Sequence, residues 1–271
     1  MPSPQRVDPL RIFACCYIAF LYAPIVLIVL FSLNDSLYVA FPLKQFTLRW
    51  YAAMAGNPAL LAALRNSVEL GLGVSLISTA MGMLSAKAVT GVGFPGRRAM
   101  LGLLVVPLII PTLILGIALL FLIRRLLGWD LSLWTIGAGH ILLCLPFTTL
   151  IFVSRLEGFD RSLEEASLDL GRTRWQTFWR ITFPLSLPAV VSSLLLAFTV
   201  SFDEFVLAFF LGGNDTTLPL FIWSQLRFPA KLPTVLALGS CILLASSALV
   251  ALSEWLRRRG RATDGAGAIP L

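Results

Sequence analysis

The 271 residues are 58 % apolar and 13 % charged, with a mean hydropathy of +0.87. Soluble domains have about 45–50 % and about 25 %, so a soluble fold, a disordered chain and a disulfide scaffold are excluded, and about six membrane-spanning helices fit the length. The net charge of +7 and the pI near 9.7 do not point to nucleic acid, because no basic run is interleaved with aromatics; the cations read as membrane-flanking.

The first apolar run, Ile12–Leu33, follows Arg6 and Arg11. At about 22 residues it exceeds a signal-peptide core, and no small-x-small cleavage site follows, so it is read as an uncleaved span. The second run, Ser67–Ala88, begins beside Arg65 and Glu69, whose spacing suits an interfacial ion pair on one helix face. The third, Met100–Ile123, carries Pro107 and Pro111. Both prolines remove backbone hydrogen bonds, and a kink lining a water-filled path and a plain packing bend fit equally. The fourth, Leu133–Val153, holds His140, a lone histidine suited to a helix-to-helix hydrogen bond rather than to a metal. The fifth, Leu187–Leu211, contains Asp203 and Glu204, and the sixth is Thr234–Leu252. Gly56-Asn57-Pro58, Gly91–Gly96 and Gly212–Asp215 mark turns between them. Cys15, Cys16, Cys144 and Cys241 all lie in apolar runs and read as packing residues. Continuous twenty-residue runs exclude a β-barrel.

Orientation follows from the cations. Fourteen of the 21 Lys and Arg fall on the side that holds the N-terminus, the second-to-third connection (Lys87, Arg97, Arg98), the fourth-to-fifth connection and the tail (Arg257, Arg258, Arg259, Arg261). The positive-inside rule makes that side, and both termini, cytoplasmic. The expected organisation is an N-terminal helix and outer loop at 1–59, a transmembrane core at 60–256 and a basic tail at 257–271.

The connection Ser154–Ser186 is patterned like folded structure. Ser162-Leu163-Glu164-Glu165 reads as a capping box that starts a helix at Leu163. Leu163, Ala166 and Leu170 share one face of it and Glu164, Glu165 and Asp169 the other. Gly171 falls where a left-handed cap would end it. Thr173–Gln176 is a second capping box, opening a short helix with Trp175, Phe178 and Trp179 on an interfacial face. Pro184 is expected to stop that helix, and Pro188 to lie in the first turn of the next span. Capping and hairpin geometry alone account for Glu165 and Gly171; a docking surface also accounts for why so compact an element leaves the membrane.

Glu165-Ala166-Ser167, then Gly171 after three residues, then Ile181-Thr182-Phe183-Pro184 after nine, resembles the E-A-A-x3-G-x9-I-x-L-P signature of ATP-binding-cassette importer permeases. Ser167 and Phe183 depart mildly from it, with the spacing intact. The resemblance implies an all-α, six-helix fold of the type I importer class, in which the hairpin is a coupling helix that docks on a cytoplasmic ATPase. It further implies a second permease subunit (a paralogue or a copy), two ATPase subunits that carry the ATP and Mg, and a periplasmic solute-binding protein, at a bacterial inner membrane.

No metalloprotease, nucleophile-elbow or phosphate-loop motif is present, so no enzyme and no nucleotide site is expected in this chain. A secondary transporter or channel is the alternative class, but the related halves and mid-membrane ionisable groups that would favour it are not evident in the sequence. The stretch Ser201–Leu226 resembles permeases of the spermidine/putrescine type. An acidic path at Asp203, with Glu204 paired or turned to an interface, would suit a polyamine. A structural, interfacial carboxylate fits Asp203 equally well. Another amine, an amino-acid derivative or a metal cation stands behind the polyamine.

Overall fold

The computed structural model describes residues 9–91, 96–160 and 162–265, with side chains, Arg98 excepted, as far as residue 248. Expectations on Arg6, on Arg161, on residues 92–95, on the residues after 265 and on the side chains of Arg98 and the tail arginines lie outside the described residues.

In chain order the helices are α1 (Pro9–Ser32), α2 (Arg49–Ala55), α3 (Pro58–Thr90), α4 (Arg97–Ile109), α5 (Thr112–Phe121), α6 (Leu133–Glu157), α7 (Ser162–Asp169), α8 (Arg174–Thr177), α9 (Phe183–Asp203), α10 (Val206–Leu211), α11 (Leu218–Leu226) and α12 (Leu232–Gly265). Wider π turns extend α5 over Leu122–Leu126 and join α8 to α9 over Phe178–Thr182. Among the described residues five helices are long and apolar enough to cross a membrane, and α4 with α5, apolar together but sharply bent, brings the number to six where the pair counts as one span.

Two of the expected spans are broken. The third bends by 103° between α4 and α5. Ile110, before Pro111, is extended (ψ 126°), because the proline ring disfavours helical geometry in the residue it follows. Pro107, by contrast, stays inside α4. The fifth span ends at Asp203, and Glu204 is extended (ψ 114°) before α10 starts. There the Glu204 carboxylate accepts the N–H groups of Val206 (2.9 Å) and Leu207 (3.1 Å). A side-chain acceptor next to free backbone donors starts a new helix in preference to continuing the old one.

The chain divides into two compact units, Met1–Pro58 with Ile222–Leu271, and Ala59–Phe221. In the first, α1, α2 and α12 are tied by a hydroxyl relay: Tyr51 Oη lies 2.7 Å from both Ser32 Oγ and Ser240 Oγ. The C-terminal helix thus groups with the N-terminal one.

The second unit is built on α3, α6 and α9. Its core at one end joins Met83, Ala86 and Val89 to Phe152, Leu156 and Ala189. A second cluster joins Leu115, Ile136, Leu143, Leu207 and Leu211. Lipid-embedded helices gain little from hydrophobic exclusion and associate through close approach and hydroxyl bonds. Accordingly α9 buries Ser186, Ala189, Ser193, Ala197 and Ser201. Thr148 Oγ1 on α6 donates to the Ser78 carbonyl of α3 (2.8 Å). The approach is so close that a Cβ on Gly82 would lie 2.3 Å from Thr148 Oγ1. His140 is fully buried with Nδ1 2.9 Å from Ser201 Oγ, the helix-to-helix bond expected of it. Arg65 and Glu69 pair at 2.6 Å.

Candidate functional site

Two regions of the second unit carry the residues singled out in the sequence, and α9 separates them by its length, about 30 Å.

The first is the hairpin α7–α8. Its turn is a Schellman motif: Gly171 has φ +82°, its N–H donates to Leu168 O (2.9 Å), and the Arg172 N–H donates to Ser167 O (3.2 Å). These bonds satisfy the carbonyls that a helix end otherwise leaves open. The Thr173–Gln176 capping box forms as expected, with Thr173 Oγ1 accepting the Gln176 N–H (3.3 Å) and Gln176 Oε1 accepting the Thr173 N–H (3.2 Å).

Two details differ from the expected hairpin. Ser162 already lies within its first helix, and the Ser162 N–H is taken by the Asp160 carboxylate (3.0 Å). Hydrogen bonding from the Ser162 side chain and then its backbone holds the Asp160 carboxyl below the usual carboxylate range. Asp160, an acid two residues upstream, takes the capping place that the Ser-x-x-Glu spacing assigned to Ser162. The sequence left open which face turns inward: Ser167 is buried, whereas Leu163, Ala166 and Leu170 are exposed, Leu170 at 82 %. Finally, Pro184 does not stop the helix. Arg174–Asp203 runs as one apolar helix, because the wide turn at Phe178–Thr182 displaces the carbonyls that a proline ring would otherwise strike.

The inward face explains the geometry. Ser167 Oγ lies 2.9 Å from Thr177 Oγ1, both buried, clasping α7 to α8. Glu164 Oε1 accepts from Thr182 Oγ1 and from Lys87 Nζ at the end of α3, each at 2.5 Å. Sequence reasoning missed Lys87, Glu164 and Thr182 as a connected group. Glu164 and Ser167 are three apart and so share a face, and Lys87 is a cation in the last turn of a long apolar helix; together these were the available signal. An open cleft of about 490 Å³ lies behind the hairpin, lined among others by Lys87, Glu164, Glu165, Arg174 and Thr182. Glu165 is exposed, as is Pro184, and Ile181 is half-buried. Trp175 and Trp179, both exposed, pack edge to face (5.5 Å between centroids), and Trp179 meets Phe183 at 4.9 Å. Exposed indoles beside apolar helix suit a membrane interface.

The second region is the break at Asp203 and Glu204. Glu204 is half-buried and committed to the α10 N-terminus, while the Asp203 carboxylate is exposed. The other break belongs to the same neighbourhood: Ile110, next to Pro111, packs against the cluster that holds Leu207 and Leu211 of α10. The structure therefore gathers Pro111 with α10, and Glu165, Ala166, Ser167, Gly171, Ile181 and Pro184 with the hairpin.

The profile of the family described as binding-protein-dependent transport system inner membrane component matches residues 78–262. The spermidine/putrescine transport system permease protein PotC of Haemophilus influenzae is 35 % identical over 242 residues, 89 % of this chain and 93 % of that protein. The putrescine transport system permease protein PotI of Escherichia coli is 33 % identical over 243 residues, 87 % and 85 % of the two chains. Among solved structures, a bacterial ABC transporter involved in the import of the acidic polysaccharide alginate superposes with a TM-score of 0.68 at 19 % identity. It covers 95 % of this chain and 99 % of that one, a likeness of fold alone.

Proposed function

This chain belongs to the binding-protein-dependent transport system inner membrane components, the permease subunits of ATP-driven importers, and from that premise we propose that it forms a polyamine path and is driven through its α7–α8 hairpin. The observation that carries the drive is the exposed Leu163, Ala166 and Leu170 face on a hairpin whose fold is fixed from within. An apolar face left outward on a rigid element is a docking surface. Its partner here is an ATPase subunit, with Glu165 at the rim of the contact and Gly171 holding the turn. The full assembly has two such ATPases, a second permease subunit and a periplasmic binding protein. The ATPases bind ATP and Mg, and this chain performs no catalysis. Both termini face the cytoplasm, as the cation asymmetry requires. Closure of the ATPase pair moves the hairpins, and the permease pair exchanges its inward and outward openings.

The substrate reading is supported by relatives named for spermidine and putrescine over most of their length. It is also supported by an exposed carboxylate at the break of an apolar helix. A carboxylate offsets the hydration that an ammonium group loses on entering a membrane path, and it repels anions. Asp203 supplies that charge; Glu204 holds the break open, and the bend at Pro111, one turn after Pro107 within α4, borders it. Uptake of labelled putrescine, with Asp203→Asn compared against wild type while the binding protein still loads, tests the reading. Loss of about tenfold or more is expected. Unchanged uptake would make Asp203 a structural residue, and no amine uptake by the wild type would end the polyamine reading.

A further inference from the structure

The hairpin is continuous in the chain with α6 before it and α9 after it, but α3 has no chain connection to it. α3 reaches it side chain to side chain, through Lys87 Nζ on Glu164 Oε1, while the same oxygen accepts from Thr182 Oγ1 beneath the hairpin. The side chains of Lys87 and Glu164 are 38 % and 26 % exposed, so the pair is only partly screened. About 30 Å away along the same helix, α3 is fastened again. Asn66 Nδ2 donates to the Thr216 carbonyl (3.0 Å), and Ser67 Oγ accepts the Leu218 N–H (2.8 Å). The segment it holds there follows directly on α10 and the Asp203–Glu204 break. Between the two fastenings α3 is one uninterrupted helix of 33 residues without an internal proline, and a continuous hydrogen-bonded helix transmits displacement along its axis.

We propose that Lys87 and Glu164 are positioning residues for energy coupling. Their ion pair makes α3 follow the hairpin, and α3 carries that movement to the 212–218 segment, which α10 joins to the Asp203 break. Thr182 sets the orientation of the Glu164 carboxylate so that it faces Lys87. Carriage by the apolar contacts of Met83, Ala86 and Val89 alone is the competing account, and it predicts indifference to the charges. The inference rests on the permease reading above.

The test uses the whole complex in vesicles with labelled putrescine, comparing Lys87→Glu, Glu164→Lys and the double charge swap with wild type. ATP hydrolysis, substrate moved per ATP and co-purification of the ATPase are measured together. Each single reversal is expected to keep hydrolysis within about twofold and to lower transport per ATP by about tenfold, and the swap to recover it to within about threefold. Singles that transport like wild type overturn the link, and so does a swap no better than the worse single. Where a single reversal prevents assembly, recovery of both assembly and transport by the swap supports the pair, and failure of the swap overturns it. A wild-type complex that hydrolyses ATP without moving putrescine counts against the substrate alone. The same variants are then compared by the stimulation of hydrolysis that the binding protein produces. Stimulation lost in the singles and recovered in the swap supports the pair, and stimulation unchanged in the singles overturns it.

Discussion

Substitution of Gly171 isolates a backbone conformation from every side-chain contact. Its φ of +82° is left-handed, and a Cβ built there meets nothing within 4 Å. The conformation costs an ordinary L-residue about 1–2 kcal/mol and asparagine less. Added to the opening equilibrium of the hairpin, that is about a 5- to 30-fold change. The N–H groups of Gly171 and Arg172, bonded to Leu168 and Ser167, report it directly by hydrogen exchange on the assembled complex. Gly171→Ala is expected to lose protection over residues 166–172 by about 5- to 30-fold. Gly171→Val should lose more, because of its β-branch, and Gly171→Asn least, with uptake falling in the same order. Gly171→Pro, whose ring fixes φ near −65°, should abolish the turn. Equal damage from Gly171→Asn and Gly171→Val would refute the reasoning, since it would mean that the glycine serves a partner's close approach and not the turn.

Gly82→Ala places a methyl 2.3 Å from Thr148 Oγ1 and 2.9 Å from a Thr148 backbone carbon that cannot rotate away; about 2 kcal/mol of destabilisation is expected in thermal unfolding. Gly73→Ala on the same helix meets nothing within 4 Å and should be neutral or slightly stabilising. The Asp160 carboxyl is held down by Ser162, so its support of the first turn of α7 is present above the unfolded carboxylate value and lost as pH falls through the lower folded one. In pH-matched exchange, a difference between wild type and Asp160→Ala should therefore be full above the ordinary carboxylate range and shrink as pH falls below it; a pH-independent difference would contradict it.

Length and apolarity were enough to read the six runs, because a bilayer imposes its thickness on any crossing helix. The breaks at Pro111 and Glu204 were harder. A proline announces a disturbance but not its size: Pro107 stays within a helix while Pro111 stands at a 103° bend, because only tertiary contacts decide whether the freed backbone groups find partners. The hairpin turn was legible since Gly171 and Thr173 act within one or two turns of chain. Which face of α7 points inward was not. Amphipathic reasoning buries leucine, but here Ser167 meets Thr177 and Glu164 meets a lysine 77 residues earlier. The apolar face is outward, where a second protein would cover it.

The most direct measurement is accumulation of labelled putrescine in sealed vesicles that hold the permease pair, with the ATPase and loaded binding protein supplied and ATP added or withheld. Accumulation that requires ATP, the ATPase and the binding protein together is the predicted result. Accumulation without the ATPase, driven by an ion gradient alone, would contradict the account.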